Sequence, residues 1–155
     1  MIDEIVYRSP ELGDEAQIAA CMCASADWAE LTGETPEGIA DWQQLCSAEE
    51  LQARILSGEK TLVAVHNRIV VGFIAFRRGN HLSLLFVRQE YSGKGIGREL
   101  LTRCTNGFEQ ITVNASDLAV GFYRRLGFEQ SDDRFFKNGS WGTPMRWSKS
   151  KDQPE

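Results

Sequence analysis

A glycine-rich turn between an apolar strand and an apolar-faced helix constrains the fold of this chain more than any other feature. The run Leu82 to Val87 has the length and character of a buried strand. Glycines follow at positions 93, 95 and 97, and apolar side chains then recur at helical spacing from residue 96 to residue 104. Such a turn leaves backbone N–H groups free where the helix dipole favours an anion, and glycine lets a phosphate approach closely. The sequence therefore predicts a site for a phosphorylated ligand.

The spacing of these glycines disfavours the two commonest nucleotide-binding turns. A Walker A loop has two glycines separated by four residues and followed by Lys and then Ser or Thr, and the segment 93–97 has neither feature. A dinucleotide-binding turn has the pattern G-x-G-x-x-G near the start of a βαβ unit. Here Arg98 occupies the place of the third glycine, and the turn lies more than halfway along the chain.

The same segment resembles motif A of the GNAT superfamily, the GCN5-related N-acetyltransferases. That motif consists of Gln or Arg, two residues of any type, Gly, one residue of any type, and then Gly or Ala. Gly95 and Gly97 match the two small positions, whereas Ser92 stands where the long polar side chain belongs. The difference removes one side chain from the expected pyrophosphate site, although backbone donors make the main contacts in such turns.

A second segment, residues 111–128, resembles motif B of the same superfamily. A short strand candidate is followed by Ser116, which we expect to cap a helix. One face of that helix carries apolar residues at helical spacing, including Phe122 and Tyr123, and Gly127 is placed to end it. The closing residues 144–147 are similar to the last strand of a bacterial subgroup, so the resemblance covers nearly the whole chain.

The hydrophobic pattern predicts a single-domain α/β fold of the mixed α+β kind. Strands are expected at 4–9, 61–66, 69–77, 81–87, near 111–113, near 128–136 and at 143–148. Helices are expected at 14–27, from there to 57 with a break at 33–36, after the glycine turn, and before Gly127. The strands would form a central, mixed and mostly antiparallel sheet flanked by helices. The resemblance implies that this sheet is splayed between strands four and five and holds the cofactor there.

Length and composition restrict the remaining possibilities. The 155 residues suit one domain, which we place at residues 1–149, with a disordered tail at 150–155. Without an apolar run of eighteen residues or a leader, the chain is expected to be cytoplasmic and not membrane-bound. Its four cysteines form no C-x-x-C pair, so no metal site is expected. No basic stripe is interleaved with aromatic residues, which argues against nucleic-acid binding.

The resemblance implies acetyl-CoA as the co-substrate and assigns the residues that bind it. The end of the fourth strand, Leu85, Phe86 and Val87, would run beside the pantetheine arm, with the Val87 N–H facing the thioester carbonyl. Asn114 would contact the pantetheine amides, although an Asx turn is nearly as good an explanation for it. The residues expected to cradle the pyrophosphate are Ser92, Gly93, Lys94, Gly95, Ile96, Gly97 and Arg98.

Two residues are candidates for proton transfer. Tyr123 matches the tyrosine that protonates the departing thiolate in many members of the superfamily, and a phenol with a pKa of ~10 is a donor at neutral pH. The alternative is a tyrosine that only packs in the core. Several members use a carboxylate near the start of strand four as the base, but this chain offers only His81 there. His81 is therefore the candidate base, with an ordinary surface histidine as the alternative.

The charges are divided unevenly along the chain. Residues 1–53 contain twelve acids and a single basic residue, Arg8, whereas the remainder contains sixteen basic residues and ten acids. This is either a solvated acidic face or an attraction for a cationic acceptor, with Asp27, Glu30 and Glu34 as a negative rim. Trp28, Trp42 and Trp141 either wall an acceptor pocket or belong to the core.

These observations favour an N-acetyltransferase that moves the acetyl group of acetyl-CoA directly to a primary amine within a ternary complex. The acceptor would be a small-molecule amine or a basic peptide, and because many members of the superfamily are dimers, a homodimer is a candidate assembly. Two alternatives remain open: transfer of a longer acyl group, and a domain of the same fold that senses acyl-CoA without turnover.

Overall fold

A computed structural model of the chain describes residues 4–137 and 139–149. Its strands form one sheet in the order β1-β2-β3-β4-β5-β8-β6, and β7 pairs with β8. Every neighbouring pair is antiparallel except β4 and β5, which are parallel. The mixed, mostly antiparallel sheet is thus confirmed, whereas the expected tail at 150–155 lies outside the described residues. The strands are β1 (Val6–Arg8), β2 (Thr61–His66), β3 (Ile69–Arg77), β4 (His81–Val87), β5 (Gln110–Ser116), β6 (Glu129–Gln130), β7 (Phe135–Lys137) and β8 (Ser140–Ser148).

In the described part of the chain, six α-helices cover the two faces of the sheet. Between β1 and β2 the chain forms α1 (Glu15–Cys23), α2 (Trp28–Thr32), α3 (Pro36–Leu45) and α4 (Ala48–Leu56). A 3₁₀ turn (Gln89–Tyr91) precedes α5 (Ile96–Cys104), and α6 (Val120–Arg125) follows β5. The start of α3 is well defined, because the Thr35 hydroxyl accepts a hydrogen bond from the Gly38 N–H at 3.0 Å and Pro36 occupies the first helical position.

The sheet separates two apolar cores. One core lies under α5 and α6 and contains Ile74, Leu100 and Met145, whereas the other lies under α1, α3 and α4 and contains Met22 and Phe73. Residues 70–76 of β3 are all buried, because this central strand is covered on both faces. The rigid centre of the molecule is therefore the β2–β3–β4 meander with a helical layer on each side.

The parallel pair β4–β5 is joined only at its beginning. Among the described residues the two strands pair at His81 with Thr112 and at Leu82 with Val113, and then diverge. From Leu84 onward β4 pairs with β3 alone, and from Asn114 onward β5 pairs with β8 alone. The expected splay between strands four and five is confirmed, and it leaves a strand edge free on each side of the gap.

Local patterns predicted the meander well and the region after β5 less well. The predicted strands at 61–66, 69–77 and 81–87 have the bounds of β2, β3 and β4. The prediction of Ser116 as a helix cap is wrong, because Ser116 is the last residue of β5 and pairs with Gly142. The seven-pair ladder with β8 extends the strand, so that α6 begins only at Val120 after an Ala119 N-cap. Likewise the first helix ends at Cys23, four residues earlier than expected.

Candidate active site

The gap between β4 and β5 opens into a cavity of about 410 Å³, called the cleft below. Leu82 to Phe86 of β4 and Val113 to Ser116 of β5 line it along the sheet. Helices α2 and α3 line one side, and the β7–β8 hairpin lines the other. Because β4 and β5 are parallel, their carboxyl ends lie at the same edge of the sheet, and the chain leaves β4 there to form the glycine turn. The cleft and the turn therefore occupy one end of the molecule.

The glycine turn has the geometry of an anion site. Gly93 and Gly95 adopt φ values of +75° and +81°, which favour glycine, and the space around both is open. Gly95 is the N-cap of α5 and supplies no side chain to its N–H groups, so the first turn of the helix keeps its donors available. Ser92, Lys94 and Arg98 are exposed beside the turn. The turn therefore combines available backbone donors with two basic side chains.

Two other residues of the turn serve the packing of α5. The Ile96 side chain is buried in the core, so that only its backbone faces the turn. A Cβ built on Gly97 would lie 3.5 Å from Cζ of Phe122 and 3.8 Å from Cγ2 of Val87. The small residue thus lets α5 pack beside α6 and the end of β4. Val87 itself pairs with Gly72 and packs in the core, whereas Leu85 and Phe86 line the cleft.

Tyr123 lies in the cleft and is held by the end of its own helix. The Phe128 N–H donates to the Tyr123 carbonyl at 3.0 Å and the Gly127 N–H donates to the Arg124 carbonyl at 3.1 Å, which is a Schellman closure with Gly127 at φ +98°. The rings of Tyr123 and Phe128 pack at 5.2 Å, completing the closure. The Tyr123 side chain is thereby fixed at the wall of the cleft, 5% exposed.

The phenol of Tyr123 is held in its protonated form. Burial, with the charge of Asp27 as a smaller contribution, raises the pKa of Tyr123 well above its usual value. Within the part of the chain that the structure describes, no group hydrogen-bonds to its hydroxyl. A neutral, unpaired hydroxyl in an apolar wall can donate a proton or a hydrogen bond to a group that enters the cleft.

His81 occupies the opposite end of the β4–β5 pair. Its Nδ1 is 2.8 Å from Oγ1 of Thr112, and burial followed by the charges of Arg77 and Arg78 lowers its pKa. His81 is not among the residues that line the cleft. The structure therefore does not bring His81 and Tyr123 together. Asn114, in contrast, lies within β5 opposite Pro144 and lines the cleft, so an Asx turn at this position is wrong.

The acid-rich part of the chain, residues 1–53, contributes two carboxylates to the lining of the cleft. Asp27, the N-cap of α2, and Asp41 on α3 both line the cleft. Glu30 is engaged elsewhere, because its carboxylate accepts the Leu118 N–H at 3.1 and 3.2 Å, and Glu34 is not a lining residue. Of the three acids expected to form a negative rim, only Asp27 lines the cleft. The sequence suggested all three by their charge, which does not show the direction in which each side chain faces.

Two tryptophans and one lysine also line the cleft. Trp42 and Trp141 line the cleft, whereas Trp28 does not. Lys137 from the β7–β8 hairpin adds a cation.

In the described residues no group of three or more His, Cys, Asp or Glu side chains is placed to hold a metal ion. Within those same residues, none of the helices combines the length and the apolar character that crossing a membrane requires.

Comparison with known proteins gives the family. The Acetyltransferase (GNAT) domain matches residues 30–149 of the chain. The chain belongs to the GNAT family of N-acetyltransferases. Among curated relatives, the uncharacterized N-acetyltransferase YafP of Escherichia coli K12 is 29% identical over 143 residues, which cover 92% of this chain and 93% of YafP. The peptidyl-lysine N-acetyltransferase YjaB of the same strain is 33% identical over 133 residues, covering 83% of this chain and 84% of YjaB.

Solved structures of GNAT proteins share the whole architecture. A GCN5-related N-acetyltransferase from Rhodopseudomonas palustris superposes with a TM-score of 0.77 at 27% identity and covers 96% of this chain and 98% of its own. The PaiA N-acetyltransferase of Thermoplasma acidophilum, solved in complex with coenzyme A, superposes with a TM-score of 0.78 at 21% identity, covering 94% of this chain and 99% of its own. The second likeness shows the GNAT fold alone.

Proposed function

We propose that this GNAT protein transfers the acetyl group of acetyl-CoA directly to a primary amine within a ternary complex. The observation that carries the proposal is the neutral Tyr123 hydroxyl in the wall of a cleft between two diverging parallel strands. Direct transfer is favoured because no cysteine is among the residues that line the cleft. Burial also raises the pKa of Cys21 to about 12 and that of Cys104 to about 11, so neither is an activated nucleophile.

The cofactor would occupy the gap and the glycine turn. Among the described residues, β4 beyond Leu84 and β5 beyond Asn114 each present a strand edge that no other strand pairs with. An extended pantetheine arm carries amides that can pair with such edges, as an added strand does. Its pyrophosphate would meet the N–H groups at the start of α5, with Lys94 and Arg98 beside it. Asn114, Leu85 and Phe86 would contact the arm, and the backbone at Val87 would face the thioester carbonyl.

Tyr123 would protonate the leaving group. As the amine nitrogen attacks the thioester carbonyl, a C–N bond forms, the C–S bond breaks, and the phenol donates its proton to the coenzyme A thiolate. Burial raises the pKa of Tyr123, so the phenol keeps its proton at neutral pH and can act as the donor. The ring of Tyr123 packs in the apolar core, and a surrounding of low polarity strengthens a hydrogen bond to a charged sulfur.

The proposed acceptor is an amine that is positively charged in solution, such as a lysine side chain of a peptide or a small primary amine. Asp27 and Asp41 provide carboxylates, and the aromatic walls at Trp42 and Trp141 suit an alkyl stem or a cation. Similarity to YjaB, which is named a peptidyl-lysine N-acetyltransferase, supports a lysine. A longer acyl group in place of acetyl would need the same cleft and is distinguished by comparing acyl-CoA donors.

Replacing Tyr123 with Phe tests the proposal, because the ring that packs against Phe128 is kept and only the hydroxyl is lost. We expect turnover to fall by about 100- to 10,000-fold, the size of a general-acid effect, while the rise in melting temperature on adding acetyl-CoA is unchanged. Tyr7→Phe, a tyrosine outside the cleft, is the matched control.

Three results would contradict the proposal. Full turnover in Tyr123→Phe would reduce Tyr123 to a packing residue. Stabilisation by acetyl-CoA without thiol release for any amine of a broad panel would favour a sensor of acyl-CoA. Stabilisation by NADH or ATP but not by coenzyme A would remove the assigned cofactor.

A further inference from the structure

The carboxylate of Asp27 lies in the wall of the cleft. It stands at the N-cap of α2, yet its side chain makes no capping hydrogen bond. Within residues 4–137 and 139–149, no ion pair or hydrogen bond to this carboxylate is present. Asp27 is half-buried, and a charged group that is partly withdrawn from water without a partner costs free energy. The arrangement is therefore unfavourable for stability, and its position beside Tyr123 points to a chemical use.

We propose that Asp27 is the general base of the reaction and takes a proton from the acceptor ammonium, directly or through one water. The inference rests on the proposed function, because it assigns the half of the proton transfer that Tyr123 cannot perform. The two side chains line the same cleft from different elements, Asp27 from the start of α2 and Tyr123 from α6. An amine bound between them would have its base on one side and the donor to sulfur on the other.

The protons balance in this arrangement. An acceptor ammonium carries three protons on nitrogen, and the amide product carries one. Asp27 accepts the first of the two lost protons and releases it to solvent after turnover. The second leaves nitrogen as the C–N bond forms and restores the proton that Tyr123 has given to the thiolate. No oxidant, metal or covalent enzyme intermediate is needed.

The charges around Asp27 favour this role. Burial, and secondarily the charge of Glu30, raises the pKa of the Asp27 carboxyl, which makes it a stronger proton acceptor than an exposed aspartate. The other titratable groups that line the cleft are Asp41 on α3, Tyr123 on α6 and Lys137 on β7. The negative charge of Asp27 also raises the pKa of Tyr123. Once Asp27 has taken up a proton this contribution disappears, so that deprotonating the amine makes Tyr123 a better donor.

The other candidate bases are less well placed. His81 is bonded to Thr112 at the closed end of the strand pair and does not line the cleft. Asp41 lines the cleft but is exposed to solvent, a position that suits the attraction of a cationic acceptor. Glu30 is occupied by the Leu118 N–H.

Replacing Asp27 with Asn, which has nearly the same shape, tests the inference through kcat and its pH dependence. We expect kcat to fall by about 100- to 10,000-fold at pH 7. The deficit should shrink as the pH approaches the acceptor pKa, about 10.4 for a lysine side chain, because solvent then supplies the neutral amine. The melting temperature should stay equal or rise, since an unpaired charge is removed, and the stabilisation by acetyl-CoA should not change.

Two further variants distinguish a residue that takes a proton from the amine from one that only binds the amine. Asp41→Asn is expected to raise the KM for the amine with little change in kcat, and Glu37→Gln, an exposed acid at the start of α3, is expected to change neither. A rise in KM alone for Asp27→Asn, or a deficit that is constant with pH, would overturn the role as base. If the unsubstituted protein acetylates no amine, the proposed function itself fails, whereas an active Asp27→Asn beside an active parent removes only this inference.

Discussion

Gly38→Ala is the substitution for which the structure gives the sharpest expectation. Gly38 is buried in the first turn of α3 and lines the cleft. A Cβ at this position would lie 1.7 Å from the carbonyl oxygen of Thr32 and 2.6 Å from its carbonyl carbon. Real Cβ atoms do not approach other heavy atoms within 3.0 Å, so the two backbones must separate by more than an ångström. Neither partner is a flexible side chain that could turn away.

The separation breaks a compact set of hydrogen bonds between α2 and α3. The Thr32 carbonyl accepts from both the N–H and the hydroxyl of Thr35 at 3.3 Å, and that hydroxyl in turn accepts the Gly38 N–H at 3.0 Å. Overpacking costs about 1–3 kcal/mol, and an alanine in a helix recovers up to about 1 kcal/mol. Because backbone atoms collide and a cap is lost, we expect a net loss of about 2–3 kcal/mol.

Thermal unfolding measures this loss directly. In a domain of this size 1 kcal/mol corresponds to about 2–4 °C, so the melting temperature should fall by about 4–12 °C. The KM for the amine should also rise, because α2 and α3 line the cleft beside Asp27 and Asp41, whereas that for acetyl-CoA should change little. Gly121→Ala is the control, since its Cβ would meet only the Arg125 side chain at 3.4 Å. Equal stability of the two variants would refute the reasoning.

Three further predictions concern the cofactor turn, the core and the pH dependence. Gly95→Asp, at φ +81° and facing the expected pyrophosphate, should abolish the thermal shift with acetyl-CoA, whereas Gly58→Asp, at φ +82° in open space away from the turn, should keep it. Leu100→Ala, which empties a fully buried site under α5, should lower the free energy of unfolding by about 2–5 kcal/mol, and Leu118→Ala on the surface by less than about 0.5 kcal/mol. The hydrogen bond from Arg8 lowers the pKa of the Asp14 carboxyl in the folded protein. The stability that this bond contributes is therefore fully present above the unfolded-state pKa of about 3.9. It is lost as the pH falls through the lower pKa of the folded state. Arg8→Met should therefore melt below the parent at pH 7, and the difference should shrink as the pH falls below about 3.9. A difference that stays constant as the pH falls would contradict this.

The meander and the glycine turn were predictable because their signals are local. Alternating and continuous apolar runs define β2, β3 and β4, and positive φ at Gly93 and Gly95 follows from residue type. The end of α6 was predictable for the same reason, since Gly127 terminates it. Ser116 shows the limit of such signals, because pairing with β8, more than twenty residues later, overrode its preference for a helix cap.

The composition of the cleft could not be derived from spacing. Asp27 and Tyr123 are almost a hundred residues apart and are brought together by the path of α2 over the open end of the sheet. The choice of His81 as base followed its place at the start of strand four, but pairing with Thr112 holds it at the end where the strands are joined. Which acids face the cleft likewise depends on tertiary contacts, as the bond between Glu30 and Leu118 shows.

Only two residue pairs join β4 to β5 among the described residues. The sheet therefore consists of two hydrogen-bonded units, β1–β4 and β5–β8, with a weak connection between them. Without a ligand, the second unit can open while the ladders of the first stay closed, so its amide protons should exchange through a lower-energy, sub-global opening. A coenzyme that pairs with both free edges would merge the two units into one cooperative structure. Amide hydrogen exchange in β8, which touches neither edge of the gap, would then slow together with that in β3. Binding in the cleft would thus lower the exchange rates of amides throughout the sheet.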